Sequence, residues 1–114
     1  MEPGRKISFI VSDLFHFLPI CLKLTETGNH QIRVFLVGRA KTDLYAPFKY
    51  SFEKGQFDTV KLLVSRNVKF SCEYPSTGSR GEIFEEFRKL PMSDTTYDDF
   101  IVESLNDGFE ILDI

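Results

Sequence analysis

The chain has few of the residues that build metal centres and disulfide frameworks. Its 114 residues include no Trp and two cysteines, and Cys21 and Cys72 show neither CxxC nor Cys/His metal spacing. A small secreted domain would carry more cysteines, and a zinc site would group its ligands. No apolar run approaches the roughly 18 residues that a spanning helix needs. We therefore expect an intracellular protein of the cytoplasm or nucleus that is not transmembrane and has no cofactor or metal.

Signatures of catalysis are also missing from the sequence. There is no Gly-rich phosphate loop, no nucleophile elbow and no kinase motif. His16 and His30 each stand without a second ligand nearby, and the adjacent acids Asp98 and Asp99 would point to different sides of a helix. These absences predict a protein that is not an enzyme. An enzyme that pairs Cys21 or Cys72 with a histidine is the alternative.

The net charge of −3 is unevenly distributed along the chain. Residues 1–73 carry a balance of +4, whereas residues 74–114 carry −7. The last part, from 91 to 114, holds seven acids and no Lys or Arg, which excludes a nucleic-acid-binding tail. With 42% apolar residues and a mass of 13.2 kDa, the chain is long enough for one core, and we expect a single domain over 1–114.

Alternation of apolar and polar residues dominates the first 73 residues. Six segments fit β-strands, namely 7–11, 18–24, 32–36, 48–52, 60–64 and 68–72. Gly and Asn residues between several of them fit tight turns. The second faces of 32–36 and 60–64 are half apolar, as expected for central strands. The sequence therefore predicts an α+β, mainly β fold, an antiparallel meander of six or seven strands that forms a sandwich or small open barrel over 1–75.

Helical spacing replaces this alternation after the small flexible loop at 76–81. Ile83, Phe84, Phe87 and Leu90 share one helix face, and a second helix is predicted over 96–105. One or two helices within 82–106 are thus expected to pack on the sheet. This order of strands followed by a helix resembles pleckstrin-homology-like barrels, a likeness of layout that implies a helix capping an open barrel end.

The last six residues, 109–114, allow two interpretations. Their alternation favours a closing strand of the domain. Alternatively, the segment 107–112 resembles the motif of autophagy modifier-binding peptides, and 111–114 resembles a SUMO-interacting motif. Both kinds of peptide add an extended strand to a partner's sheet edge. The candidate partner-binding residues of this tail are Phe109, Ile111, Leu112 and Ile114.

Basic residues on the predicted strands suggest a second kind of partner. Arg33, Arg39, Lys41 and Lys49 alternate with aromatic residues, a mixture that binds single-stranded nucleic acid or an anionic lipid headgroup. An ordinary solvated strand face explains the same residues. The leading prediction is a non-enzymatic protein–protein interaction domain, an adaptor subunit or a homodimer, and nucleic-acid or lipid binding is the alternative.

Overall fold

The computed structural model describes residues 4–38, 54–73 and 92–114. In these ranges the chain forms an α/β fold with helices on both faces of a parallel sheet. The elements are β1 (Lys6–Val11), α1 (Leu14–Thr27), β2 (Gln31–Leu36), α2 (Lys54–Ser65), β3 (Lys69–Cys72), β4 (Met92–Asp94), α3 (Tyr97–Asn106) and β5 (Glu110–Asp113).

The sheet is wound outward from β1 in both directions. Its order is β4-β3-β2-β1-β5, and every neighbouring pair is parallel. In the register of the sheet, Lys6 of β1 stands opposite Gln31 of β2. On the other side of β1, Ile7 stands opposite Glu110 of β5. The chain therefore builds β1 to β4 in one direction and then returns across the sheet to place β5 on the free side of β1.

The larger core lies between the sheet and the helices α1 and α2. Its members alternate along β1, β2 and β3 and recur with helical spacing on the two helices, and they are Ile7, Phe9, Val11, Leu14, Phe17, Leu18, Cys21, Ile32, Val34, Leu36, Val60, Leu63, Val68, Phe70 and Cys72. The rings of Phe9 and Phe17 meet edge to face at 5.1 Å, which joins β1 to α1. This layer fixes α1 and α2 against one face of the sheet.

Helix α3 covers the opposite face. Phe100 packs against Phe35 and Ile10, with the two rings 5.2 Å apart. Beside them, the Ser8 hydroxyl donates a hydrogen bond to the Ser104 hydroxyl at 2.8 Å, and both side chains are fully buried. The bond satisfies two polar groups that would otherwise be costly inside the protein.

Residues 14–27 form a helix, so the strand predicted over 18–24 is wrong. Leu14, Phe17, Leu18 and Cys21 are buried at positions i, i+3, i+4 and i+7. Asp13 caps the first turn by accepting hydrogen bonds from two backbone N–H groups of residues 15 and 16. The alternation over 18–24 was a short-range coincidence within this longer helical period.

The strand predicted over 60–64 is wrong for a related reason. Val60 and Leu63 are fully buried in α2, whereas Leu62 is 41% exposed. A strand would have placed Val60 and Leu62 on the same face. Burial of Leu63 indicates a helix, whereas burial of Leu62 would have indicated a strand. Because both residues are leucines, the sequence does not show which of them is buried.

The predicted antiparallel meander, and with it the sandwich or barrel and the pleckstrin-homology-like layout, is contradicted by the parallel sheet. Helices α1 and α2 lie within residues 1–75, which were expected to hold strands only. Parallel neighbours need a crossover rather than a hairpin, and these helices supply crossovers. The half-apolar second face of 32–36, interpreted as a feature of a central strand, arises because helices cover both faces of the sheet.

Several individual elements are confirmed. Strands occur at 6–11, 31–36 and 69–72, the second C-terminal helix spans 97–106, and the closing strand spans 110–113. The predicted strand at 48–52, the loop at 76–81 and the helix over 82–90 lie outside the described residues. No helix of the described ranges has the length and apolar character to cross a membrane.

Removing residues 107–114 should unfold the domain, because β5 is part of its sheet. The truncation deletes the partner of one side of β1 and the buried ring of Phe109. We expect a chain ending at Asn106 to lose its cooperative unfolding transition in circular dichroism. Leu112→Asn in the full chain is the control and should retain the transition, since that side chain is exposed. An unchanged transition in the truncated chain would show that β5 is dispensable.

Candidate functional site

The structure divides the four predicted partner-binding residues of the tail between core and surface. Phe109 is buried, Ile111 packs partly against the cluster around Phe35, and Ile114 packs partly against the larger core. Leu112 is 42% exposed on β5. The tail is thus an edge strand of the sheet in the described residues, and one of its four candidates stands open to a partner.

Two further apolar side chains are exposed on α3, which precedes β5. Val102 is 55% and Leu105 61% exposed, one helical turn apart. The inward side of the helix carries Phe100 and Ser104, and Val102 lies about 200° around the helix axis from Phe100. These side chains therefore point away from the core. Val102 and Leu105, on the helix that leads into β5, define what we call the α3–β5 surface. Leu112 lies on the other face of the sheet, because it stands opposite Phe9 of the larger core.

Helix α3 and strand β5 are held together, so the surface is built on a fixed framework. Ile101 of α3 and Ile111 of β5 pack against the same small cluster. The backbone N–H of Phe109 donates to the carbonyl of Ser104 at 2.9 Å, which fixes the turn between the two elements. The exposed leucine and valine of α3 consequently occupy defined positions in the fold.

Acidic side chains accompany the apolar ones on α3. Asp98 and Asp99 lie in its first turn, where negative charge favours the positive end of the helix dipole, and Glu103 lies one turn further. All three are exposed and make no ion pair within the described residues. An apolar centre with uncompensated acids beside it is chemically suited to a partner that carries basic residues around its own apolar contact.

Of the four predicted anion-binding residues, the structure describes Arg33. Its guanidinium lies 4.0 Å from the centroid of the Phe109 ring and donates to the carboxylate of Asp107 at 2.6 Å. A cation–π contact and an ion pair thus hold the guanidinium group of Arg33 in place. Arg39, Lys41 and Lys49 lie outside the described residues, so the predicted basic strand face is represented here by Arg33.

The two histidines have structural contacts at opposite ends of the sheet. Nδ1 of His16 lies 2.8 Å from the carboxylate of Asp13, and its side chain is 79% exposed. This hydrogen bond is the main reason that the pKa of Asp13 lies below its ordinary value of 3.8. Nδ1 of His30 accepts the backbone N–H of Arg5 at 3.1 Å. The contact between His16 and Asp13 belongs to the cap of α1. The contact between His30 and Arg5 anchors the loop before β2.

Both cysteines are buried thiols and do not form a disulfide. Burial raises the pKa of Cys21 to about 12, so its thiol stays protonated at neutral pH. A nucleophilic cysteine requires the opposite environment. Among residues 4–38, 54–73 and 92–114, no group of three or more His, Cys, Asp or Glu side chains is arranged to hold a metal ion.

Sequence reasoning missed the exposure of Leu105. Leu105 is an apolar residue at the end of the helix predicted over 96–105, yet burial on this helix is centred on Phe100 and Ser104. Ser104 lies at the centre of the buried face, and a serine does not indicate burial in an apolar pattern. Its hydrogen-bond partner, Ser8, lies 96 residues away in the sequence. The position of the buried face could not be read from α3 alone.

Comparison with known proteins gives a fold and no function. No protein-family model matches the chain, and no curated protein matches it. The chain is similar to a solved structure of a protein of unknown function, MTH1491 from Methanobacterium thermoautotrophicum. The two share 15% identity with a TM-score of 0.66, over 98% of this chain and 100% of the other. At this identity the likeness concerns the fold alone.

Cys21 should resist alkylation in the folded protein. With a pKa of about 12, only about one thiol in ten thousand is ionised at pH 8, and the core blocks access. We expect no labelling by iodoacetamide over hours under native conditions and full labelling in denaturant, followed by mass spectrometry. Rapid labelling of the native chain would contradict the burial and revive a cysteine nucleophile.

Replacing His16 should raise the pKa of Asp13 towards its ordinary value, because His16→Ala removes the main hydrogen bond to the carboxylate. The ionised cap stabilises the folded state above about pH 4, and this stabilisation is lost as the pH falls through the lowered folded-state pKa. Carbon-detected NMR titration of the Asp13 side chain measures the change. Asp58 serves as an internal reference, and equal curves for Asp13 in both proteins would refute the role of His16.

Proposed function

We propose that this chain is a non-enzymatic protein-interaction domain, an adaptor that docks through the α3–β5 surface. The observation that carries the proposal is the exposure of Val102 and Leu105, at 55% and 61%, on a helix whose other side is packed. Because each side chain is already partly buried, covering its remaining exposed area would contribute about 1–2 kcal/mol. Neither is needed for the core of the domain.

The partner we propose is a different protein with an apolar centre and basic residues around it. Asp98 and Asp99 accompany the apolar side chains and are not neutralised by other described residues, whereas Glu103 lies in a cleft that Arg33 and Lys69 also line. A homodimer through a two-fold axis would place the same surface on both sides and bring these acids together. Charge complementarity therefore favours a basic partner over a second copy of the chain.

An intracellular location, in the cytoplasm or nucleus, is part of the proposal. The two buried thiols support it, since Cys21 and Cys72 are kept reduced inside the cell. The alternative of nucleic-acid or lipid-headgroup binding through a basic strand face draws on Arg33 alone among the described residues. That side chain is already engaged by Asp107 and Phe109, and we do not adopt the alternative as a function of the domain.

Polar substitution of the α3–β5 surface should weaken docking while leaving the stability of the domain unchanged. The test variant is Val102→Gln with Leu105→Gln, and the control is Leu62→Gln on α2, which is also exposed. A photo-crosslinker at position 105 or 62 in the native host identifies proteins in contact. We expect a partner crosslinked from 105 and not from 62.

Calorimetry with that partner, purified, completes the test. Affinity should fall roughly tenfold or more in the double variant, because each truncated hot-spot contact costs more than about 1 kcal/mol. It should remain unchanged in Leu62→Gln and weaken with added salt. Equal crosslinking from both positions, or equal affinity of both variants, would refute the proposal. Light scattering that shows a dimer disrupted by the double variant would identify a second copy as the partner instead.

A further inference from the structure

A separate cavity lies at the amino end of the sheet, on the opposite side of the fold from the strand carboxyl ends. The loop 28–30 that follows α1 and the turn 66–67 that follows α2 form two of its walls, and the beginnings of β2 and β3 form its floor. The ring of Phe109 closes another side. Its volume of about 360 Å³ is in the range of pockets that hold small molecules.

Cationic side chains converge on this cavity. Arg33, Arg66 and Lys69 line it, and no described residue of its wall is an aspartate or glutamate. Arg33 and Lys69 are direct register partners on β2 and β3. Like charges placed opposite each other on neighbouring strands destabilise a sheet. The two strands therefore place two positive charges side by side at the cavity, and Asp107 pairs with one of them, Arg33.

The three cations differ in how far the protein neutralises them. Arg33 pairs with Asp107 at 2.6 Å, and Arg66 donates to Thr25 at 2.9 Å with Glu26 at 3.8 Å. The ammonium group of Lys69 makes no ion pair or hydrogen bond within the part of the chain that the structure describes. This group is thus the uncompensated charge of the cavity.

His30 adds a neutral donor to the same wall. Because its Nδ1 accepts the backbone N–H of Arg5, the neutral ring carries its proton on Nε2. A Cβ at residue 28 would lie 3.3 Å from that Nε2, so Gly28 leaves this edge of the ring uncovered. The cavity therefore presents an imidazole N–H together with the guanidinium and ammonium donors.

We propose that this cavity binds the phosphate group of a small molecule. A phosphate carries close to two negative charges and several acceptor oxygens, which matches a wall of several donors and cations better than a single carboxylate would. Helices α1 and α2 direct the negative ends of their dipoles to this edge, so the uncompensated Lys69 is required for net attraction. The proposed site needs no protein partner, and two of its cations, Arg33 and Lys69, also share a second cleft with Glu103 of α3.

The test measures phosphate binding by ¹⁵N NMR at constant ionic strength. Inorganic phosphate and ribose 5-phosphate are titrated separately against the whole chain, with chloride as the reference anion. We expect saturable shifts confined to amides of residues 28–31 and 66–69. Lys69→Gln should weaken binding roughly tenfold, as expected for loss of one charge-assisted contact. Lys61→Gln on α2 removes the same charge away from the cavity and should leave the affinity unchanged.

Three results would overturn the proposal. The first is a linear, unsaturable response to both phosphate probes, as nonspecific screening would give. The second is an equal loss of affinity in Lys69→Gln and Lys61→Gln. The third is binding of a single-stranded oligonucleotide that depends on Lys69 while both small phosphates fail to bind, which would make a nucleic-acid strand the ligand. The far-ultraviolet circular dichroism of each variant verifies folding, which is expected because both lysines are exposed.

Discussion

Parallel hydrogen bonding of β1 to both β2 and β5 is the constraint from which the other elements take their places. A strand with parallel neighbours on both sides cannot be joined to them by tight turns, so the chain must leave the sheet and return. It returns once through α1 to β2, and much later through α3 to β5. Because the second return runs in the opposite direction across the sheet, α3 lies on the face that α1 and α2 leave open.

Coverage of both faces also explains which parts of the fold the sequence predicts. Strands at 7–11, 32–36 and 68–72 were recognisable because their apolar positions alternate, and β5 was recognisable for the same reason. Their direction was not, since parallel and antiparallel strands differ in connection rather than in local pattern. The half-apolar second face of 32–36 was the available sign of a doubly covered sheet. It was compatible with a central strand of either kind.

Helices α1 and α2 were missed because short windows of their sequences alternate. In α1 the decisive signals lie outside the window 18–24, in the cap at Asp13 and in the buried residues Leu14 and Phe17. In α2 the distinction depends on Leu63 rather than Leu62 being buried, which the side chains themselves do not indicate. Tertiary packing chose between two patterns that the local sequence supports about equally.

The uneven charge of the chain acquires a physical meaning once β5 lies beside β1. Acids of the C-terminal part then reach bases of the N-terminal part, as in the Arg5 pair with Glu110 and the Arg33 pair with Asp107. Such exposed pairs are individually weak. They nevertheless neutralise part of the positive charge of the N-terminal part and part of the negative charge of the C-terminal part. What stays uncompensated is Lys69 at the amino end of the sheet and Asp98, Asp99 and Glu103 on α3, and Glu103 lines one cleft together with Lys69 and Arg33.

Lys69 on one side, and Asp98 and Asp99 in the first turn of α3 on the other, give the two proposed sites opposite electrostatic characters. A basic protein approaching α3 and a phosphate approaching Lys69 would each be attracted to one site and repelled by the other, since the sign of the charge selects the ligand. The apolar residues Val102 and Leu105 then supply binding energy to the first, while the fixed donors around His30 supply directional contacts to the second.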